Sequence, residues 1–149
     1  MSQVQKITPF LWFDTQAQAA AEFYVSVFPD SRIASSNPML VTFELNGLNL
    51  VALNGGPQFH FTEAISLWVH CTSQAEVDRY WDVLTADGGE ASQCGWLKDK
   101  YGLSWQIVPA ALNHLMSTGT PEQGKRVFDP MMQMQKLIIA DLQKAFDGK

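Results

Sequence analysis

The chain has 149 residues, 46% hydrophobic and 17% charged, with a formal net charge of −5 and an isoelectric point near 5.0. This balance excludes a disordered chain, and it provides no clustered Lys and Arg for a nucleic-acid or anionic-membrane surface. The length suits one domain or two small fused modules, enough to bury roughly 68–70% of the unfolded surface without a disulfide or metal staple.

The segment MSQVQK leads directly into a strand-like run with no apolar leader core, and neither Cys71 nor Cys94 lies in a metal-ligand spacing. The expected location is therefore the cytoplasm, with small molecules or other proteins as partners.

Ile7 to Phe13 reads as a strand that is apolar on both faces. Thr15-Gln16-Ala17-Gln18 has the form of a capping box, so a helix is expected over the following AQAAAEFYVSVF, with Ala19, Phe23 and Val27 on one apolar stripe, Ala20, Tyr24 and Phe28 beside it, and Pro29-Asp30 as its stop. Asn46-Gly47 is the strongest two-residue hairpin signal and pairs Leu45 with Leu48 and Phe43 with Leu50. A loop follows, NGGPQFHFTEA, where Gly55-Gly56 and Pro57 suggest a flexible lid or an edge strand carrying His60.

The order then begins again, with strand Ile65–Cys71, a second capping box at Ser73-Gln74-Ala75-Glu76, a helix and short strands. A shift of 58 residues places Thr8 on Ser66, Phe10 on Trp68 and Trp12 on His70, the pattern of an internal duplication or of two generic amphipathic βα units. Cys94 to Pro109 reads as two short strands joined by Asp99-Lys100-Tyr101-Gly102, where Asp99 can cap the turn and Gly102 can take positive φ. Leu103, Trp105 and Ile107 alternate with Ser104, Gln106 and Val108.

Beyond Pro109 the pattern is helical. One helix ends at Gly119, and a third capping box stands at Thr120-Pro121-Glu122-Gln123. A break is expected at Asp129-Pro130, and a last helix buries Leu142 and Phe146.

The repeated strand-helix-strands order, the WFD of Trp12–Asp14, Phe23-Tyr24 and GWLKDKYGLSWQIVP resemble the PhnB-like branch of the vicinal oxygen chelate superfamily, the glyoxalase and bleomycin-resistance relatives. Its domain carries the label 3-demethylubiquinone-9 3-methyltransferase. The resemblance implies an α+β fold of two tandem βαβββ modules, residues 1–57 and 64–109. They would form a cup-shaped mixed sheet within one domain, with a helical tail over 110–149, assembled as a homodimer. No glycine-rich strand-to-helix turn followed by an acidic residue is present to hold a methyl donor's nucleoside.

In metal-dependent members of the superfamily His or Glu projects into the cup. The corresponding positions here are Thr8, Ser66 and Gln106, which offer no anionic or imidazole donor, so neither metal nor other cofactor is expected.

Alternation then places Thr8, Phe10 and Trp12 on one face, Ser66, Trp68 and His70 on the equivalent face, and Ser104 and Gln106 on the last strand. These eight are the candidate ligand-binding residues, an aromatic wall with sparse polar groups. The same aromatics could instead fill a core between modules. Two functional readings stay open: a metal-free small-molecule binder, and an enzyme using His70 as general base or a metal held by atypical ligands.

Overall fold

A computed structural model describes residues 5–148. The first four residues, on which the leaderless reading partly rests, and Lys149 lie outside the described residues. The chain forms two compact units, residues 1–61 and 62–149.

In the first unit, β1 (Phe10–Phe13), α1 (Ala17–Val27), β2 (Arg32–Ser36), β3 (Leu40–Leu45) and β4 (Leu48–Asn54) build a four-stranded sheet of order β1-β4-β3-β2. β1 runs parallel to β4, and the other pairs are antiparallel. Asn46 (φ 48°) and Gly47 (φ 91°) both take positive φ, as the tightest hairpin turn requires. The register is the one expected, Leu45 opposite Leu48 and Phe43 opposite Leu50. Val41, Phe43, Leu50 and Ala52 are buried, and Tyr24 of α1 stacks on Phe43 at 6.3 Å.

Three expectations for this unit are corrected. The first strand begins at Phe10, not Ile7, which is 85% exposed. Before Phe10 the chain is fixed by the Gln5 side chain, which donates to the Ile7 and Asn49 carbonyls and accepts from the Asn49 amide. Thr15 does not cap α1: the N-cap is Gln16, and the Ala17 amide donates to Asn54 Oδ1 at 2.8 Å, so a residue at the end of β4 supplies the cap. The loop after β4 forms no edge strand, one of the two readings for it, and its aromatics meet β1, Phe59 edge-on to Trp12 at 5.0 Å and Phe61 edge-on to Phe13 at 5.3 Å.

The second unit repeats the arrangement. β5 (Ser66–Cys71), α2 (Gln74–Thr85), β6 (Glu90–Ala91), β7 (Trp96–Lys98) and β8 (Ser104–Pro109) form a sheet of order β5-β8-β7-β6, again with the first and last strands parallel. Ser73 caps α2 by accepting from the Glu76 amide at 3.1 Å, while Glu76 reaches back to the Thr72 amide. Val77, Tyr80, Trp81 and Leu84 bury the inner face of α2.

The tail adds α3 (Ala110–Thr118), α4 (Pro121–Gln133) and α5 (Ile139–Asp147). Thr120 and Gln123 form the reciprocal capping box expected for α4. The break expected at Pro130 does not occur. Pro130 lies in the final turn, where it removes only one intrahelical donor before α4 ends at Gln133. Val108 of β8 joins Leu112, Leu115, Val127, Leu137 and Leu142 in one buried cluster. The tail is also tied down by main-chain bonds, Cys94 amide to Met134 carbonyl and Gly95 amide to Gln135 carbonyl, both 2.8 Å. The Gln74 side chain donates to the Leu137 carbonyl and accepts from the Ile139 amide.

Candidate functional site

The β7–β8 hairpin decides which side chains face the open side of the second sheet. Asp99, 2% exposed, accepts from the Tyr101 and Leu103 amides through Oδ1 and from Trp105 Nε1 through Oδ2, at 2.8–3.1 Å. This carboxylate clamp holds Trp105 in the core with Leu97, Leu103 and Ile107. Because side chains alternate along a strand, Ser104, Gln106 and Val108 take the opposite face.

Registered partners extend that face across the sheet. Ser104 lies opposite Ser66 and Lys98, with Glu90 beyond Lys98, and Gln106 lies opposite Trp68 and Trp96. The face therefore carries a polar row, Glu90-Lys98-Ser104-Ser66, beside a row in which one amide stands between two indoles.

A cavity of about 590 Å³ opens above the second row. Trp68, Trp96 and Gln106 line it from the sheet, Cys94 from the β7 approach, and Leu112 and Met132 from the tail helices. Trp68 is 49% exposed and stacks on His70 at 4.8 Å with 19° between the rings. Gln106 Nε2 donates to Ser66 Oγ at 2.9 Å, which fixes the amide's orientation. Gly95 (φ 85°) permits the close approach of this segment to β8, since an added Cβ would meet the Ile107 carbonyl oxygen at 2.9 Å.

The structure thus gathers Ser66, Trp68, Ser104 and Gln106 on one sheet face, with His70 exposed behind Trp68 and outside the cavity wall. Thr8, Phe10 and Trp12 belong to the first unit. Thr8 precedes β1 and is exposed, so its expected strand-face position does not hold, and its hydroxyl faces Gln5 Nε2 at 3.4 Å. Phe10 is 56% exposed, and Trp12 donates to the Gly56 carbonyl.

Sequence reading missed Trp96, whose place follows once the Asp99–Gly102 turn fixes it opposite Gln106. It also missed Met131 and Met132, which reach the cavity only through docking of the tail.

The donor set does not fit a divalent metal. Ser66 and Gln106 are neutral and are paired to each other, and among the described residues no group of three or more His, Cys, Asp or Glu side chains could hold an ion. The thiols are poor nucleophiles. Burial pushes the Cys71 thiol up to about 12, with the Glu76 charge adding to the effect. Burial also raises Cys94, whose sulfur lies 3.3 Å from that of Met132.

Lys98 forms an ion pair with Glu63. That bond holds the Glu63 carboxyl below its ordinary range and raises the Lys98 ammonium.

A sequence family described as 3-demethylubiquinone-9 3-methyltransferase matches residues 5–108. The PhnB protein from Bacillus cereus is 34% identical, with 70% of this chain aligned to 99% of that one at a TM-score of 0.65. A protein from Pseudomonas aeruginosa (18% identical, 70% of this chain against 97% of that one, TM-score 0.58) shares the fold. So does a glyoxalase-related enzyme from Fulvimarina pelagi (15% identical, 70% against 88%, TM-score 0.51). No curated protein sequence matches the chain. The family match stops before α3, so the helical wall of the cavity comes from residues beyond it.

Proposed function

The chain belongs to the 3-demethylubiquinone-9 3-methyltransferase family, a PhnB-like branch of the vicinal oxygen chelate superfamily with the glyoxalase/bleomycin-resistance fold, and on that premise we propose that it binds a small organic molecule in the cavity of its second unit. The modules and tail would act together as one domain over 1–149, without a metal at the positions of Thr8, Ser66 and Gln106.

The observation that carries this reading is Trp68. A half-exposed indole leaves apolar area in water, and a ligand lying over it recovers the hydrophobic free energy of that area. Beside it, Gln106 is held by Ser66 and offers one fixed polar contact for orientation.

A thermal-shift screen of small molecules tests the reading, because a specific binder at 100 times its dissociation constant adds about 2.7 kcal/mol of stability. Its hits should quench or enhance tryptophan emission, and Trp68→Ala should weaken them at least tenfold. Hits that ignore Trp68→Ala in a folded variant would overturn the assignment.

A homodimer accompanies this reading. Ile7, Phe10, Met39 and Phe59 are each more than half exposed on the first unit, apolar area that a second copy could cover. Light scattering giving a monomer mass at micromolar concentration would refute it. No helix among the described residues is long and apolar enough to cross a membrane. Two free thiols suit a reducing cytoplasm, where we place the protein.

A further inference from the structure

The polar row beside the aromatic one holds an anomaly. Ser104 is 1% exposed, yet its Oγ has no hydrogen-bond partner. Buried hydroxyls are ordinarily paired, because the water they lose must be replaced. Ser104 is among the residues that line a second, smaller cavity of about 180 Å³, together with Glu63, Glu90, Ser92, Trp96 and Lys98. Glu63, Ser92 and Trp96 also line the larger cavity, so the two are neighbours with common walls.

The walls of the small cavity carry two carboxylates and one ammonium; Lys98 is ion-paired with Glu63 and also feels the Glu90 charge across the β6–β7 pair, so one negative charge is left uncompensated. What remains is acceptor-rich and net negative: the Glu90 carboxylate, the outer face of the Glu63 carboxylate, and the Ser92 and Ser104 hydroxyls.

We infer that the ligand is bipartite, with an apolar or aromatic body in the larger cavity and a protonated amine head in the smaller one, donating to Ser104 Oγ and neutralised by Glu90. This inference rests on the binding reading above and specifies its ligand class. A carboxylate head is disfavoured on the same grounds, since it would meet Glu63 and Glu90 with only the already paired Lys98 in its favour.

Three probes with one aromatic body and different heads separate the inference from the reading it rests on: tryptamine, 3-methylindole and indole-3-acetate. Each is titrated by chemical-shift perturbation at low ionic strength, where exposed carboxylates are least screened. Tryptamine should bind at least tenfold more tightly than 3-methylindole, and indole-3-acetate more weakly than both. Its titration should shift the Ser104 and Lys98 amides together with an indole signal of Trp68 or Trp96.

Ser104→Ala and Glu90→Gln should each narrow the tryptamine to 3-methylindole ratio to within about threefold, and added salt should narrow it in the parent. Near-UV circular dichroism confirms that each variant is folded, and the head-group comparison in the parent needs no variant. Binding of 3-methylindole with no preference for the amine would overturn the inference and leave the aromatic pocket standing. A preference that survives both substitutions would overturn it too. No binding by any probe at millimolar concentration would overturn the inference and the reading together.

Discussion

Replacing Asp99 should damage the second unit in a graded way that the hydrogen bonds it accepts from Tyr101, Leu103 and Trp105 dictate. In Asp99→Ala, the Leu103 amide and the Trp105 indole lose their acceptor in residues 1% and 2% exposed, where water cannot replace it. Each orphaned buried donor costs about 1–3 kcal/mol, giving roughly 4 kcal/mol for the two. The Tyr101 amide is only part-buried and is rehydrated at smaller cost. In Asp99→Asn, the amide oxygen still serves the two backbone donors while the NH2 group faces Trp105 Nε1, donor against donor, so one bond is lost, at about 1–3 kcal/mol.

Urea unfolding followed by tryptophan emission and far-UV circular dichroism measures both variants, and an unchanged slope would confirm that the states compared are the same. Asp99→Asn costing as much as Asp99→Ala, or both costing under about 1 kcal/mol, would refute the clamp. The alternation that presents Ser104 and Gln106 to the cavity would then need another explanation.

Thr120→Ala should remove one half of the α4 capping box and cost about 1 kcal/mol by the same unfolding assay. Cys71 should resist thiol reagents at pH 8 in the native state and react at once in denaturant, because burial holds its thiol protonated. Its folded value, about 12, lies above the ordinary 9.0, so stability from this group is present below pH 9 and is lost as pH rises through that window, which unfolding measured between pH 8 and 11 would show. Metal analysis of the purified protein should find far less than one equivalent of zinc, nickel, iron or manganese; a stoichiometric ion would overturn the donor-set argument at Ser66 and Gln106.

What was legible in the sequence is what local chemistry decides alone. Asn46-Gly47 set the β3–β4 register because both residues tolerate positive φ. The alternation from Leu103 to Val108 gave the correct faces because a one-residue slip would bury Gln106 and expose Trp105. Thr15 misled because a tertiary contact won: Asn54, 37 positions away, reaches the Ala17 amide first. Pro130 misled because its effect depends on distance from the helix end, which composition does not encode. The cavity's far wall was illegible for a related reason, since nothing local tells Met131 and Met132 that the tail will fold back against β7 and β8.

The way the tail is fastened bears on how this cavity could change over time. Two amides of the β7 approach bond to tail carbonyls, and the Gln74 side chain grips the chain on either side of Ile138, so much of the polar attachment reads peptide groups, which every sequence presents alike. Asn113 and Met131, on the cavity side of α3 and α4, take no part in those bonds. They can be exchanged without loosening the polar anchorage or disturbing the sheet that carries Trp68 and Gln106. A third of the cavity lining, four of its twelve residues, is thereby open to drift while the rest is constrained by the fold, an arrangement in which the cavity can change shape through the appended helices alone.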